Sequence, residues 1–276
     1  MNIIIPIKQV PESSNVKMDP ETGTMVRTSA EAVINPLDTN AIEAGLRLKE
    51  KYGGKVTTIS MGPQRAAEAL RESLAMGCDA AVLLSDRAFA GSDTWATAYV
   101  LSLAIQKIGE YDLIICGERA TDGETGQVGP GIAAYLDLPL GTYISEFLEF
   151  KNDQARFMRA VEGGREKVKT STPFVAVVVK EIGTPRLPTV RSKLKAKRTE
   201  VPVWGPNDLD ANPEWIGLKG SPTRVVKINK PQLMRKGELF VIKEPEDLEE
   251  VANRFVEFLK DRELMAINNN GSEVAP

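Results

Sequence analysis

Short apolar segments alternate with helix-like segments through the first half of the chain, and this alternation constrains the fold most strongly. The apolar segments are 2–8, 56–61, 81–84 and 113–116, and the helix-like segments are 38–52, 63–76, 92–108 and 128–136. Strands that alternate with helices at this spacing predict a parallel sheet that is covered by helices on both faces. A hairpin is predicted within this pattern, over 16–27.

The pattern changes after Pro139, where strand-like segments follow one another without helices between them. They cover 143–150, 156–161, 167–172 and 174–179, and Gly163-Gly164 supplies a turn. We therefore expect antiparallel strands added to the parallel sheet.

Beyond about residue 200 the periodic apolar content is too low for a separate core. One helix fits 244–259, and 268–276 are predicted to be disordered. The predicted organisation is an α/β nucleotide-binding domain over 1–200 and a C-terminal arm over 201–276, which covers either this domain or a partner subunit.

The chain contains no histidine, and its two cysteines, Cys78 and Cys116, are not part of a CxxC motif. The absence of histidine excludes His-based triads and most transition-metal sites. Two isolated cysteines cannot form an iron–sulfur cluster or a structural zinc site within one chain. Redox chemistry would therefore require an organic cofactor.

Charge and hydropathy exclude two further classes of protein. A net charge of −3 and a pI near 5.4 argue against nucleic-acid binding. The longest apolar run, 174–179, is far too short to span a membrane. Met1 leads directly into the first predicted strand without a signal-like segment, so we expect a cytoplasmic protein.

The strongest functional signal lies in 113–136. An apolar strand is followed by a turn-rich loop from Gly117 to Gly126 and by a helix from Val128, with Pro130 in its first turn. A loop of small residues between a strand and a helix N-terminus presents free backbone N–H groups to a phosphate. The sequence therefore predicts a nucleotide site after the fourth strand.

Two common nucleotide motifs are absent from the sequence. Gln9-Val10-Pro11 follows the first strand in place of GxGxxG, and no Walker loop occurs. These absences argue against an NAD-first Rossmann enzyme and a P-loop NTPase. They favour an adenine nucleotide bound at a switch point between the first and fourth strands.

Six segments in the same order resemble the beta (small) subunit of electron-transfer flavoproteins over nearly the whole chain. They are 7–11 (IKQVP), 34–36 (INP), 60–63 (SMGP), 75–77 (AMG), 117–130 and 217–224 (GLKGSPTR). The resemblance implies a Rossmann-like α/β fold and a heterodimer with a larger alpha subunit, which the C-terminal arm would embrace.

The same resemblance bears on the cofactor. Simple electron carriers of the family bind AMP in a more polar, Asn-containing loop, whereas DGETGQVGP at 122–130 is similar to the loop of flavin-bifurcating members. In those members the site holds an FAD that accepts hydride from NADH. Small residues at Gly123, Gly126 and Gly129 would leave room for a diphosphate. The alternatives are AMP in the same site and a stand-alone nucleotide sensor.

The resemblance implies cofactor contacts at the strand ends, at the start of the first helix and along the phosphate loop. These residues are Pro6, Asn35, Pro36, Leu37, Asp38, Met61, Gly117, Asp122, Gly123, Glu124, Thr125, Gly126, Gln127 and Val128. Two simpler interpretations remain open, because Asp38 could be a helix N-cap and Asp122 a turn residue. We expect no catalytic acid or base among them.

A basic segment, 184–198, contains six Lys or Arg residues and no acid. It could be a solvated loop. In the family this region recognises a flavoprotein dehydrogenase and inserts an apolar anchor. Val190 is the anchor that the resemblance implies, at a position where leucine is usual, and Leu187 replaces a usual aromatic residue. The docking residues implied are Arg186, Val190, Arg191, Lys193 and Lys195. The implied partners are an acyl-CoA or other flavoprotein dehydrogenase and, through the complex, ferredoxin.

Overall fold

The computed structural model describes residues 1–12, 17–18, 25–26, 32–224, 240, 242, 244–245 and 247–262. Contacts divide the chain into two compact units, Met1–Val225 and Val226–Pro276. No described helix is both long enough and apolar enough to cross a membrane.

The first unit contains thirteen strands and five α-helices among its described residues. The strands are β1 Asn2–Pro6, β2 Gln9–Pro11, β3 Lys17–Met18, β4 Met25–Val26, β5 Ala32–Ile34, β6 Lys55–Met61, β7 Ala80–Leu84, β8 Leu113–Gly117, β9 Leu140–Lys151, β10 Gln154–Val161, β11 Gly164–Ser171, β12 Phe174–Val178 and β13 Val203–Trp204. The helices are α1 Pro36–Tyr52, α2 Ala67–Met76, α3 Thr94–Ile108, α4 Val128–Leu136 and α5 Val190–Arg198.

Nine of the described strands form one sheet in the order β11-β10-β9-β12-β8-β1-β6-β7-β13. The chain runs from β1 to β6 and β7 on one side and then crosses to β8 on the other, and these strands pair in parallel. This is a Rossmann-type order with a switch point between β1 and β8. The predicted parallel α/β fold and its switch point are thus confirmed.

The added strands differ from the prediction in one respect. β9, β10 and β11 form an antiparallel meander, but β12 pairs in parallel with both β8 and β9. All five residues of β12 are buried and apolar, as is typical of a central parallel strand. β9 and β10 instead mix buried with exposed residues, and β11 has no buried residue, as is typical of antiparallel strands with a solvated face.

The core forms two clusters, one on each face of the sheet. Ile3 and Ile5 of β1 belong to the cluster that includes residues of α1 and α2, whereas Ile4 belongs to the one that includes residues of α3 and α4. This alternation follows from the two-residue period of a strand. Helices on both faces therefore leave the carboxyl edge of the parallel strands as the place where loops meet.

The first unit extends beyond the predicted boundary at residue 200. Val203 and Trp204 pair with β7, and Leu209 and Ile216 are buried in the core cluster next to α3. The start of the predicted arm thus lies on this domain, which is one of the two surfaces expected for it. That the remainder covers an alpha subunit stays a prediction.

Hydrogen bonds around Asp93 fix the point where the chain leaves the first unit. Asp93 Oδ1 accepts from the Ala96 backbone N–H at 3.1 Å, so Asp93 is the N-cap of α3. Its Oδ2 accepts from the backbone N–H and the hydroxyl of Thr223, at 2.9 and 2.7 Å. The Asp93 backbone N–H donates to Ser221 Oγ at 2.8 Å. The GLKGSPTR segment is therefore held at the start of α3.

The second unit contains the helix α6, Asp247–Asp261, close to the helix predicted over 244–259. Its Leu248, Phe255 and Phe258 side chains are exposed. The predicted disorder of 268–276 and the turn of the predicted hairpin lie outside the described residues, whereas the hairpin strands are the antiparallel pair β3 and β4.

Candidate functional site

The candidate nucleotide site lies at the carboxyl ends of β1, β6 and β8, beside the start of α1 and the loop before α4. Pro6 ends β1, Met61 ends β6 and Gly117 ends β8. Ligands of open α/β sheets bind at this edge, next to the switch point. The structure therefore brings the predicted strand-end residues to one edge of the sheet.

Asn35 holds the base of the loop between β8 and α4. Its side chain is fully buried; Nδ2 donates to the Arg119 carbonyl at 2.8 Å and Oδ1 accepts from the Thr121 N–H at 3.2 Å. Its backbone N–H donates to the Lys8 carbonyl at 2.8 Å. Asn35 thus joins the ends of β1 and β8 and the start of α1. Pro36 opens that helix, where a missing N–H is tolerated.

Asp38 lies in the first turn of α1, and its carboxylate faces the sheet. Asn35 occupies the N-cap position, so the interpretation of Asp38 as the N-cap is wrong. Asp38 Oδ2 accepts from the Lys8 backbone N–H at 2.7 Å. Burial raises the pKa of Asp38 to about 7, and the Lys8 hydrogen bond only partly opposes that rise.

Gly117 allows the end of β8 to approach the start of α1. A Cβ atom there would lie 2.8 Å from the Leu37 carbonyl carbon and 2.9 Å from its oxygen, and it would also collide with the Asp38 carboxylate. Only glycine fits this position without a backbone shift.

The loop between β8 and α4 is exposed from residue 121 to 125. Asp122 pairs with Lys8 Nζ at 2.7 Å, and Thr125 Oγ1 accepts from the Thr94 hydroxyl at 3.2 Å. Glu124 and Gly126 adopt the left-handed conformation, with φ of 52° and 64°. The loop is therefore shaped by its backbone and linked to both β1 and α3.

The three glycines expected to make room for a diphosphate have three different roles. A Cβ at Gly123 would meet no atom within 4 Å, so this position is open. Gly126 satisfies a positive φ. A Cβ at Gly129 would lie 2.7 Å from Val177 and 3.3 Å from Cys116 Cβ, so Gly129 serves the packing of α4 on the sheet. The expectation for Gly129 was therefore wrong.

The N-terminus of α4 faces this loop. Gln127 occupies the N-cap position and Val128 begins the helix, and within the described part of the chain no side chain caps it. Uncapped N–H groups at a helix start can bind a phosphate. With the open position at Gly123 and the ammonium group of Lys8, the residues present fit the phosphate of a nucleotide.

The basic segment, 184–198, differs from the solvated loop that the sequence also allowed. Residues 190–198 form α5, which packs against α2 and buries Ala196. Thr189 caps this helix, with its Oγ1 accepting from the Ser192 N–H at 3.1 Å. Leu187 and Val190 are 92% and 76% exposed. An exposed aliphatic surface thus precedes and begins a basic helix.

Arg186 is used inside the molecule. Its Nε donates to Oε2 of the buried Glu43 at 2.8 Å, and its guanidinium also pairs with Glu50. Burial raises the pKa of Glu43, but hydrogen bonds from Arg186 and Arg47 outweigh that effect and hold it below its usual value. Arg186 therefore anchors the basic segment on α1, whereas Arg191, Lys193 and Lys195 are exposed.

The family model described as the electron transfer flavoprotein domain matches residues 22–209, more than half of the chain. The chain belongs to the electron-transfer flavoprotein beta-subunit family.

Three relatives illustrate the range of this family. The electron transfer flavoprotein subunit beta of Thermoanaerobacterium thermosaccharolyticum is 45% identical over 96% of this chain and 100% of its own length. The caffeyl-CoA reductase-Etf complex subunit CarD of Acetobacterium woodii is 40% identical with the same coverage. Protein FixA of Azotobacter vinelandii is 43% identical over 84% of this chain and 85% of its own length.

In this member of the electron-transfer flavoprotein family, sequence reasoning missed two residues of the site. Lys8 contacts Asp122 and Thr94 contacts Thr125, although neither was among the predicted residues. The sequence contained a signal for Lys8, because it is the first positively charged residue after β1. Thr94 carries no local signal, because its contact depends on the approach of α3 to the loop.

Proposed function

We propose that this chain is the beta subunit of a heterodimer that takes electrons from NADH through FAD bound at the β1–β8 switch point. The heterodimer passes them to a flavoprotein dehydrogenase and to ferredoxin. The observation that carries the proposal is the loop before the uncapped N-terminus of α4, which is exposed from residue 121 to 125. A cytoplasmic location belongs to the same proposal.

The chain's own residues bind and position the nucleotide in this proposal. Asn35 fixes the loop base, Gly117 keeps the crevice narrow, and the first N–H groups of α4 face the phosphates. Bound FAD would supply hydride acceptance and single-electron transfer. None of the site's side chains is assigned a catalytic acid or base role.

Two observations support the proposed partners. The exposed apolar side chains Leu248 and Phe255 of α6 suit an arm that covers an alpha subunit. The CarD relative is named as part of a complex with caffeyl-CoA reductase, which supports a dehydrogenase partner for this chain.

The cofactor content of the co-purified alpha–beta heterodimer tests the nucleotide proposal. We expect two FAD and no AMP per heterodimer when the protein is denatured and the released cofactors are quantified. NADH should then reduce bound flavin. One FAD with one AMP would show that the loop holds AMP, as in a simple electron carrier.

Val190→Asp tests the docking surface. Val190 begins α5, is 76% exposed and is followed by exposed cations. The introduced carboxylate would be buried when the dehydrogenase docks, which costs free energy that an apolar anchor does not. We therefore expect electron delivery to the dehydrogenase to fall at least about tenfold. Reduction of flavin by NADH should be unchanged, because an acid in the first helical turn does not disturb α5.

Val190→Leu is the matched control and should keep normal delivery, since it retains an aliphatic anchor. Both rates would be followed by stopped-flow absorbance of the flavins. Unchanged electron delivery by the Val190→Asp heterodimer would rule out this surface as the docking site.

A further inference from the structure

Lys8 lies two residues after the end of β1 and connects two carboxylates of the candidate nucleotide site. Its backbone N–H donates to Asp38 Oδ2 at 2.7 Å, and its Nζ pairs with Asp122 Oδ1 at 2.7 Å. Its carbonyl accepts from the Asn35 N–H at 2.8 Å. Two buried residues of the α1 start therefore fix the Lys8 backbone, while its side chain extends to the phosphate loop.

The Lys8–Asp122 pair does not itself hold the loop in place. The two side chains are 47% and 32% exposed, and exposed ion pairs contribute about 0–1 kcal/mol to stability. The buried side chain of Asn35 already fixes the loop base at Arg119 and Thr121. Lys8 can therefore take up a second partner without loss of the loop.

The charges around the loop give this pair a different role. Asp122 and Glu124 are carboxylates in the segment where a phosphate would bind, and Arg119 is paired with Glu118. An uncompensated carboxylate a few ångströms from a phosphate repels it. Lys8 places a positive charge 2.7 Å from the Asp122 carboxylate and so removes most of this repulsion.

We propose that Lys8 is the cation of the phosphate site: it neutralises Asp122 and donates a charge-assisted hydrogen bond to a phosphate oxygen of the bound nucleotide. This inference rests on the proposed nucleotide site. A fixed backbone and an exposed ammonium group with three N–H donors allow both contacts, because little ordering is needed when the phosphate binds. The ligand chemistry is a phosphate ester, either the monophosphate of AMP or the diphosphate of FAD.

The test is calorimetric titration of the nucleotide-depleted heterodimer with AMP, FAD and adenosine, which lacks the phosphate. For Lys8→Met we expect AMP and FAD affinity to fall about 10- to 100-fold, as for the loss of a charge-assisted hydrogen bond. Adenosine affinity should stay within about twofold. Lys8→Arg should retain most of the AMP and FAD affinity, because it preserves the charge.

Asp122→Asn removes a negative charge and leaves Lys8 in place, so it distinguishes an effect of charge from an effect on folding. We expect it to tighten AMP binding severalfold and to restore part of the affinity that Lys8→Met loses. Equal loss of AMP and adenosine affinity in Lys8→Met, or weaker AMP binding in Asp122→Asn, would overturn the role of Lys8. A wild-type heterodimer that binds neither AMP nor FAD would instead overturn the nucleotide site.

Discussion

Gly117→Ala should destabilise the first unit by about 3 kcal/mol and remove bound nucleotide from the heterodimer. The new methyl group would lie 2.8 Å from the Leu37 carbonyl carbon, a backbone atom that cannot rotate away. Overpacking costs about 1–3 kcal/mol, and the upper end applies where backbone must move. Separation of β8 from α1 would also displace Asn35 from the loop that it holds.

Urea unfolding and the nucleotide content after gel filtration measure both effects. Gly164→Ala is the matched control, because a Cβ at Gly164 would meet no atom within 4 Å. The control should unfold at the wild-type urea concentration and keep its nucleotide. A Gly117→Ala heterodimer with wild-type midpoint and cofactor content would contradict the close approach of β8 to α1.

The elements that local sequence specifies were predicted well. The helix over 128–136 and the strand at 113–116 match α4 and β8 closely, since apolar periodicity and turn residues determine both. The parallel direction of β12 was not predicted, because a short apolar run does not indicate which strands will flank it. The helix α5 was missed because it buries one residue, Ala196, and is otherwise basic.

The site shows the same division between local and long-range information. Sequence motifs predicted the position of the loop and the inclusion of Asn35 in the candidate site. The ion pair of Arg186 with Glu43 could not be predicted, since 143 positions separate them. Gly129 was assigned to the phosphate, but its contact with Val177 arises only when α4 packs on β12. A glycine motif thus predicts the loop, while packing decides which of its glycines contact the sheet and which are open.

Asp38→Asn should flatten the pH dependence of heterodimer stability between pH 5 and 8. Burial raises the pKa of Asp38 to about 7, so the native state retains a proton that the unfolded chain has lost. Stability therefore falls as pH rises from about 4 to about 7 and levels off above that. Between pH 5 and 8 this linkage costs the wild type about 2–3 kcal/mol.

Asparagine keeps an acceptor for the Lys8 N–H but carries no charge, so that cost should disappear in the variant. Urea midpoints at pH 5 and 8, at fixed heterodimer concentration, measure the difference. Glu72→Gln, at an exposed carboxylate on α2, should follow the wild-type profile. If Asp38→Asn instead kept the full wild-type decline, the buried carboxylate beneath the loop would have to be ionised across this range. The negative charge of Asp38 would then repel a bound phosphate throughout this pH range. The positive charge of Lys8 would have to compensate for that repulsion as well.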